Sequence, residues 1–158
     1  MQIISIDPGY EKLGIAVIEK EKGKKEELVF SECFRTSARL SHEARLYLIG
    51  LEIESVIKKH KPIVLAIENL FINTNQKTAM RVAETKGVLI YVARKNGLIV
   101  HEFSPPQIKL AVAGHGHADK KAMMKMIPML IRIKKEIKED DEYDAIAVGL
   151  TFFATNKY

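Results

Sequence analysis

Two apolar runs that each end in a carboxylate constrain this chain more than any other feature. The first is Ile3-Ile4-Ser5-Ile6-Asp7, stopped at once by Pro8-Gly9. The second, Ile63-Val64-Leu65-Ala66-Ile67-Glu68, repeats the pattern further along. β-Branched side chains favour the pleated backbone, and a short apolar run closed by Pro-Gly reads as a buried strand rather than a helix. Consecutive apolar positions in the second run suit a parallel strand covered on both faces. Asp7 and Glu68 converge if those strands are neighbours. Taken alone, Asp7 also reads as the start of a turn, a common use of Asp.

The rest of the chain supplies elements to surround this pair. Gly14–Ile18 and Leu28–Phe34 read as two more strands joined by a solvated, charged connection around Gly23, so the fold opens as a three-stranded meander. From Ser37 to His60 the period changes to that of a helix, with Leu40, Ala44, Tyr47, Leu48 and Leu51 as its apolar face over the sheet and Pro62 as its stop. A second helix is expected from Thr78 to Lys95. After Gly87 it is apolar almost all round, which demands burial on every face, one of them against another subunit, with a close helix contact at Gly87. Leu98–Phe103 reads as a fifth strand, and Ser104-Pro105-Pro106 as the cap and first turn of a short helix bearing Lys109. Gly114-His115-Gly116-His117 reads as a mobile loop near a substrate rather than a metal site, since histidines between glycines lack a rigid frame. A helix then begins at Lys120, with Met123, Met126, Ile127 and Leu130 on its core face and Pro128 marking a kink or an early end.

The last helix opens acidic and turns apolar. Acids in its first turn suit the positive end of the helix dipole. Asp141 and Asp144 share a face, and Asp144 stands beside Ala145, Ile146, Ala147 and Val148, where a carboxylate loses solvation. If that face meets the ends of the first and fourth strands, four carboxylates gather, and their repulsion calls for cations. Hard oxygen donors favour Mg²⁺ or Mn²⁺. A pair of such ions about 3.5–4 Å apart is the usual arrangement for in-line displacement at phosphorus. Lys77, Arg81 and Lys86 are expected on one side of their helix, as solvated charge or as phosphate contacts. Phe71, in an Asn-rich loop, either folds back into the core or stacks on a base.

Composition sets the outer limits. A chain of 158 residues, 47% apolar, without a run of about 18 apolar residues, is expected to form one soluble domain (1–158) off the membrane. No basic and apolar leader precedes the first strand, and Cys33, the one cysteine, cannot form an internal disulfide. A cytoplasmic location follows as the expectation, with Cys33 a small buried apolar side chain rather than a reactive thiol. The net charge of +5 is compatible with a polyanionic partner.

Five motifs in order resemble the RuvC-type Holliday junction resolvases. They are Ile6-Asp7-Pro8-Gly9; Ala66-Ile67-Glu68 before the loop with Phe71; Ser104 to Lys109; Gly114 to Lys120; and Asp141-Glu142-Tyr143-Asp144-Ala145-Ile146-Ala147. The resemblance implies an α/β, RNase H-like fold with a mixed five-stranded sheet flanked by helices. It further implies a homodimer that nicks opposing strands of a four-way DNA junction in recombination and repair, using two Mg²⁺ ions, or Mn²⁺, per site. A branch-migration complex is a further partner it implies. By the same resemblance Asp7, Glu68, Asp141 and Asp144 are the metal-holding acids, Lys109 and Lys120 assist at the scissile phosphate, and Phe71 lies beside the junction centre. Pro128 and the Lys-rich stretch Arg132 to Lys138 depart from the family pattern, which leaves the presentation of Asp141 less determined than that of Asp7 or Glu68. Three rivals remain: a related nuclease acting on RNA or an RNA–DNA hybrid, a non-catalytic junction-binding module, and an actin-like kinase. The kinase would need a second domain and further Gly-rich phosphate loops.

Overall fold

The computed structural model describes residues 1–69 and 76–156, with backbone alone for Gln76 and Lys77. β1 (Gln2–Asp7), β2 (Lys12–Glu19) and β3 (Glu27–Arg35) form the expected antiparallel meander. β4 (Val64–Glu68) pairs parallel to β1, and β5 (Ile99–Phe103) parallel to β4, giving the order β3-β2-β1-β4-β5. The mixed sheet carries helices on both faces, which is why β1, β2 and β4 are apolar along nearly their whole length.

The two-residue period of a strand sorts the side chains between the faces. Ile3 of β1 and Val64 and Ala66 of β4 belong to the core beneath α5 (Asp140–Thr155), which α3 (Pro105–Ala113) and α4 (Lys120–Leu130) complete. Ile4, Ile6, Leu65 and Ile67 belong to the opposite core, beneath α1 (His42–His60) and α2 (Gln76–Lys95). Register pairs Ile6 with Ile67, so Asp7 and Glu68 emerge side by side at the sheet end, on the α5 face. Each large aliphatic side chain buried in these layers contributes about 1.5–3 kcal/mol before entropy is counted.

α5 sits unusually deep on the sheet, and two glycines permit it. A Cβ on Gly149 would stand 2.7 Å from Ser5 Oγ and 2.6 Å from Ile18 Cδ1. On Gly14 of β2 it would stand 2.1 Å from the Asp141 carbonyl oxygen. Backbone and side chain thus share space that any larger residue would take.

Two expectations need correction. The apolar face read on α1 is the wrong stripe: Tyr47 is 67% and Leu51 45% exposed, and Leu40 precedes the helix, which begins after Ser41. The sheet is instead met by Ile49, Ile53, Val56 and Ile57, whose branched side chains fill the core layer. α1 carries two apolar stripes, and periodicity alone cannot rank them. On α2, Leu89, Val92 and Ala93 are buried while Tyr91 is 67% exposed, so within one chain the helix is not enclosed on every side. The close helix approach lies not at Gly87, around which there is open space among the described residues, but at Gly50 of α1, where an added Cβ would meet Val88 at 3.4 Å.

α3 starts as read, with Pro105 at its first position and the Gln107 side chain accepting from the Ser104 N–H at 2.8 Å and hydroxyl at 2.9 Å. α4 starts at Lys120 after Asp119, whose carboxylate accepts from the Ala122 N–H at 2.7 Å, and it ends two residues beyond Pro128. The Lys-rich stretch after it is anchored: Arg132 bridges to Glu27 at the sheet edge, and Lys135 reaches Ser31 and Glu142. Among the described residues no helix is long and apolar enough to cross a membrane.

Candidate active site

Strand ends supply Asp7 and Glu68, the start of α5 brings Asp144 over them, and α3 and α4 contribute Lys109 and Lys120. These five line one cleft of about 410 Å³, walled by apolar groups that include Ile108, Met123 and Ala147. Such walls strengthen every charge interaction inside. Burial first, then the charges of Glu68, Asp144 and Asp141, push the Asp7 carboxyl from an ordinary 3.8 up to about 7. Burial and then Asp144 raise Glu68 against the pull of Lys109. Asp144 is also raised, chiefly by burial, although the Lys120 ammonium lies 3.2 Å from its Oδ2. That ammonium is equally 3.2 Å from Asp140 Oδ2. Burial works against the Lys120 charge, but the two acids outweigh it and raise its pKa.

Asp141 does not line the cleft. Its carboxylate lies with the Cys33 thiol and Glu139, ligand atoms all within 4.8 Å of one another. Among the described residues, this is the group tight enough to ligate an ion without rearrangement. Chemistry argues against it as the divalent site. Burial and then Asp141 push the Cys33 thiol up to about 11, so it stays protonated, and Glu139 is held by Arg35 at 2.8 Å. Mg²⁺ and Mn²⁺ prefer ionised oxygen ligands. The cleft acids fit them better: Asp7 resists ionising first because it is buried and then because its carboxylate neighbours outweigh Lys120, and a divalent cation would supply the missing charge. Cys33 itself is half-buried rather than fully buried as expected, and its raised pKa disfavours the thiolate.

The first turn of α5 is held by a residue that the sequence reading passed over. Glu142 is buried and accepts from Ser31 Oγ at 2.6 Å, Lys135 Nζ at 2.6 Å and the Lys138 N–H at 3.3 Å. Burial opposes its charge, but these partners, Lys135 foremost, hold its pKa low. Gly14 was missed as well. The available signals were a third acid too close to an apolar run to stay solvated, and a glycine inside a strand.

The basic residues separate. Lys86 is buried and donates to Glu102 at 2.6 Å and to Asn69 at 2.8 Å, so its ammonium ties α2 to β5 and to the residue after Glu68 rather than facing solvent. Arg81 instead lies over the Tyr10 ring, at 5.4 Å. The two residues are five apart, which turns them to different sides of α2. Phe71 and the Lys77 side chain lie outside the described residues. His115 and His117 lie on the loop before α4 and do not line the cleft, although Ala118 and Asp119 just after them do.

A mixed five-stranded sheet with acids at two adjacent strand ends, and a third presented by the helix laid across them, defines the RNase H-like class of nucleases. Comparison narrows the class. The family model described as crossover junction endodeoxyribonuclease RuvC matches residues 3–152. A crossover junction endodeoxyribonuclease RuvC from Thermosipho melanesiensis is 41% identical over 149 residues, 94% of each chain. One from Desulfitobacterium hafniense is 40% identical over 150 residues, 95% of this chain and 90% of the relative. Among solved structures, T. thermophilus RuvC in complex with Holliday junction substrate superposes with a TM-score of 0.88 at 29% identity, covering 96% of this chain and 92% of that one. The yeast mitochondrial Holliday junction resolvase Ydc2 shares the fold, with a TM-score of 0.69 at 14% identity over 96% of this chain and 79% of its own. The chain belongs to the RuvC family of crossover junction endodeoxyribonucleases.

Proposed function

We propose that this protein, one domain acting as a homodimer in the cytoplasm, resolves four-way DNA junctions by paired symmetric nicks. The carrying observation is the convergence of Asp7, Glu68 and Asp144 with Lys109 and Lys120 on one cleft, in a chain of this family. Bound Mg²⁺ ions, two per site, or Mn²⁺, supply the Lewis acidity that activates the attacking water and stabilises the leaving 3′ oxygen. Asp7, Glu68 and Asp144 hold them, and Asp7 gives up its proton as they bind. Asp141 already acts on Asp7 through its charge, and its carboxylate joins the others when metal is bound. Lys109 and Lys120 donate to the scissile phosphate in charge-assisted contacts. Phe71 stacks at the junction, and Lys77 and Arg81 contact its backbone. Lys86 is not included, because its ammonium is committed to Glu102 and Asn69.

Exposed Met80 and Tyr91 on α2 support a second copy against that helix. A branch-migration complex delivers the junction. The test is cleavage of a labelled synthetic four-way junction beside duplex and RNA–DNA hybrid controls, with Mg²⁺ and with chelator. Paired nicks in the junction alone, lost with chelator, are expected. Cleavage of the hybrid, or binding without nicks, would overturn the proposal.

A further inference from the structure

The opposite side of the catalytic sheet end holds a second group of charges that the nuclease chemistry does not use. Tyr10, in the turn after Asp7, is ringed by cationic groups. The Arg45 guanidinium lies 5.6 Å and that of Arg81 5.4 Å from its ring centroid, and the His42 ring meets it edge-on at 5.7 Å. A cavity of about 220 Å³ opens here, lined by Ser41, His42, Arg45 and Arg81 with Ala38 and Leu40. A second cavity of about 220 Å³, which includes Lys12 and Arg35, shares Arg45 with it.

Arg45 is the unusual member. Its side chain is 7% exposed, yet among the described residues its Nε and Nη1 donate to no acceptor. Its ion-pair partner, Glu11, is largely exposed and stands 3.7 Å away, too far for a hydrogen bond. His42 Nε2 is engaged by Glu84 at 2.6 Å, while its buried Nδ1 has no partner among the described residues. Burying a guanidinium with unmet donors beside a second one is costly unless an anion joins them. The planar fork of Arg matches phosphate oxygens in number and spacing.

The location identifies the anion. Tyr10 follows Asp7 by three residues, so their Cα atoms are at most about 11 Å apart. The Thr36 N–H donates to the Glu11 carbonyl at 3.0 Å, which ties this turn to the segment leading into α1. This turn is therefore within reach of phosphates flanking one held at Asp7. We infer that Arg45, Arg81 and His42 form a phosphate-binding subsite that grips a backbone phosphodiester flanking the scissile one. The inference rests on the nuclease reading above, and deepens it by assigning a register-setting contact outside the metal cleft.

The test scans junctions carrying single neutral methylphosphonate linkages around the nick, with binding measured in chelator. At one linkage the wild type is expected to lose about tenfold in affinity while Arg81→Gln and His42→Gln lose nothing further. Arg81→Gln, which removes a fixed charge, should also lower the slope of log affinity against log salt by about one counterion. Arg45→Lys, which keeps the buried charge but not the fork, should lose the same linkage dependence while keeping the salt slope and a melting temperature close to wild type. Inorganic phosphate titrated against the His42 ring signals by NMR separates the sources. A response to free phosphate with no shared linkage in the scan would overturn the nucleic-acid assignment, and silence in both would overturn the subsite. Wild-type nicking in Mg²⁺ is scored separately, so a shared linkage without nicking would uphold the subsite while the nuclease reading fails.

Discussion

Asp7 and Glu68 arrive on strands, whereas Asp141 and Asp144 arrive on the first turns of a helix, and the two pairs behave differently. The strand acids are fixed by a parallel register that reaches Ile6 and Ile67, one residue short of each, and both line the cleft. Of the helix acids only Asp144 does so, while Asp141 turns to Cys33 and Glu139. A strand end in a central sheet inherits the precision of its ladder. A helix start depends on whatever pins its first turn, here Gly14 beneath the Asp141 carbonyl and Glu142 clamped to β3 and Lys135.

The largest effect should come from the strand side. Asp7→Asn is expected to cut single-turnover cleavage by about a thousandfold or more, roughly 4 kcal/mol of barrier, while junction binding in chelator changes little. Loss of binding as well would make Asp7 structural. The same variant carries a pH signature. Because the folded pKa of about 7 exceeds the unfolded value of 3.8, the native state keeps a proton that the unfolded chain has released between them. Metal-free stability therefore falls as pH rises across that window and levels off above it. Thermal melts in chelator should show Asp7→Asn gaining on wild type up to a pH of about 7.

The helix side should break next, through its supports. Gly14→Ala pushes a methyl against the Asp141 carbonyl and is expected to cost about a hundredfold in cleavage, read with circular dichroism to show that the sheet persists. Glu142→Gln leaves the half-exposed Lys135 ammonium without its charged partner and puts a neutral amide in the buried site. About 1–3 kcal/mol of stability by urea denaturation, and about tenfold in cleavage, are expected to go. If Glu142→Gln cleaves like wild type, the first turn is held by Gly14 alone. The smallest effect belongs far from both pairs: Gly87→Ala, in an exposed helix interior with open space around it, should add about 1 kcal/mol. Dissociation of the dimer in sedimentation would instead show that the second copy proposed against Met80 and Tyr91 closes on Gly87 too tightly to admit a methyl.

The contrast also marks how far the sequence could be read. The acid-terminated runs identified β1 and β4 because the pattern recurs: an acid ending one buried strand is ordinary, but two can converge if the strands are neighbours. Asp144 was legible from the apolar residues beside it. The orientation of Asp141 was not, since an i, i+3 pair shares a face only loosely and a partner on a distant strand, Cys33, decides the rest. The buried stripe of α1 was misread because Tyr47 and Leu51 obey the same period as Ile49 and Ile53. Lys86 was misread for a similar reason: its acceptors, Glu102 and Asn69, come from other elements.

The Lys120 ammonium, set between Asp140 and Asp144, has a consequence for how the molecule comes into being. It is a counter-ion on a tether, present at the cleft from the moment α4 docks. Small zinc domains stay unfolded until their ion arrives. This chain carries a cation of its own to the crowded end of its sheet, so part of the repulsion among its acids is met from within the fold.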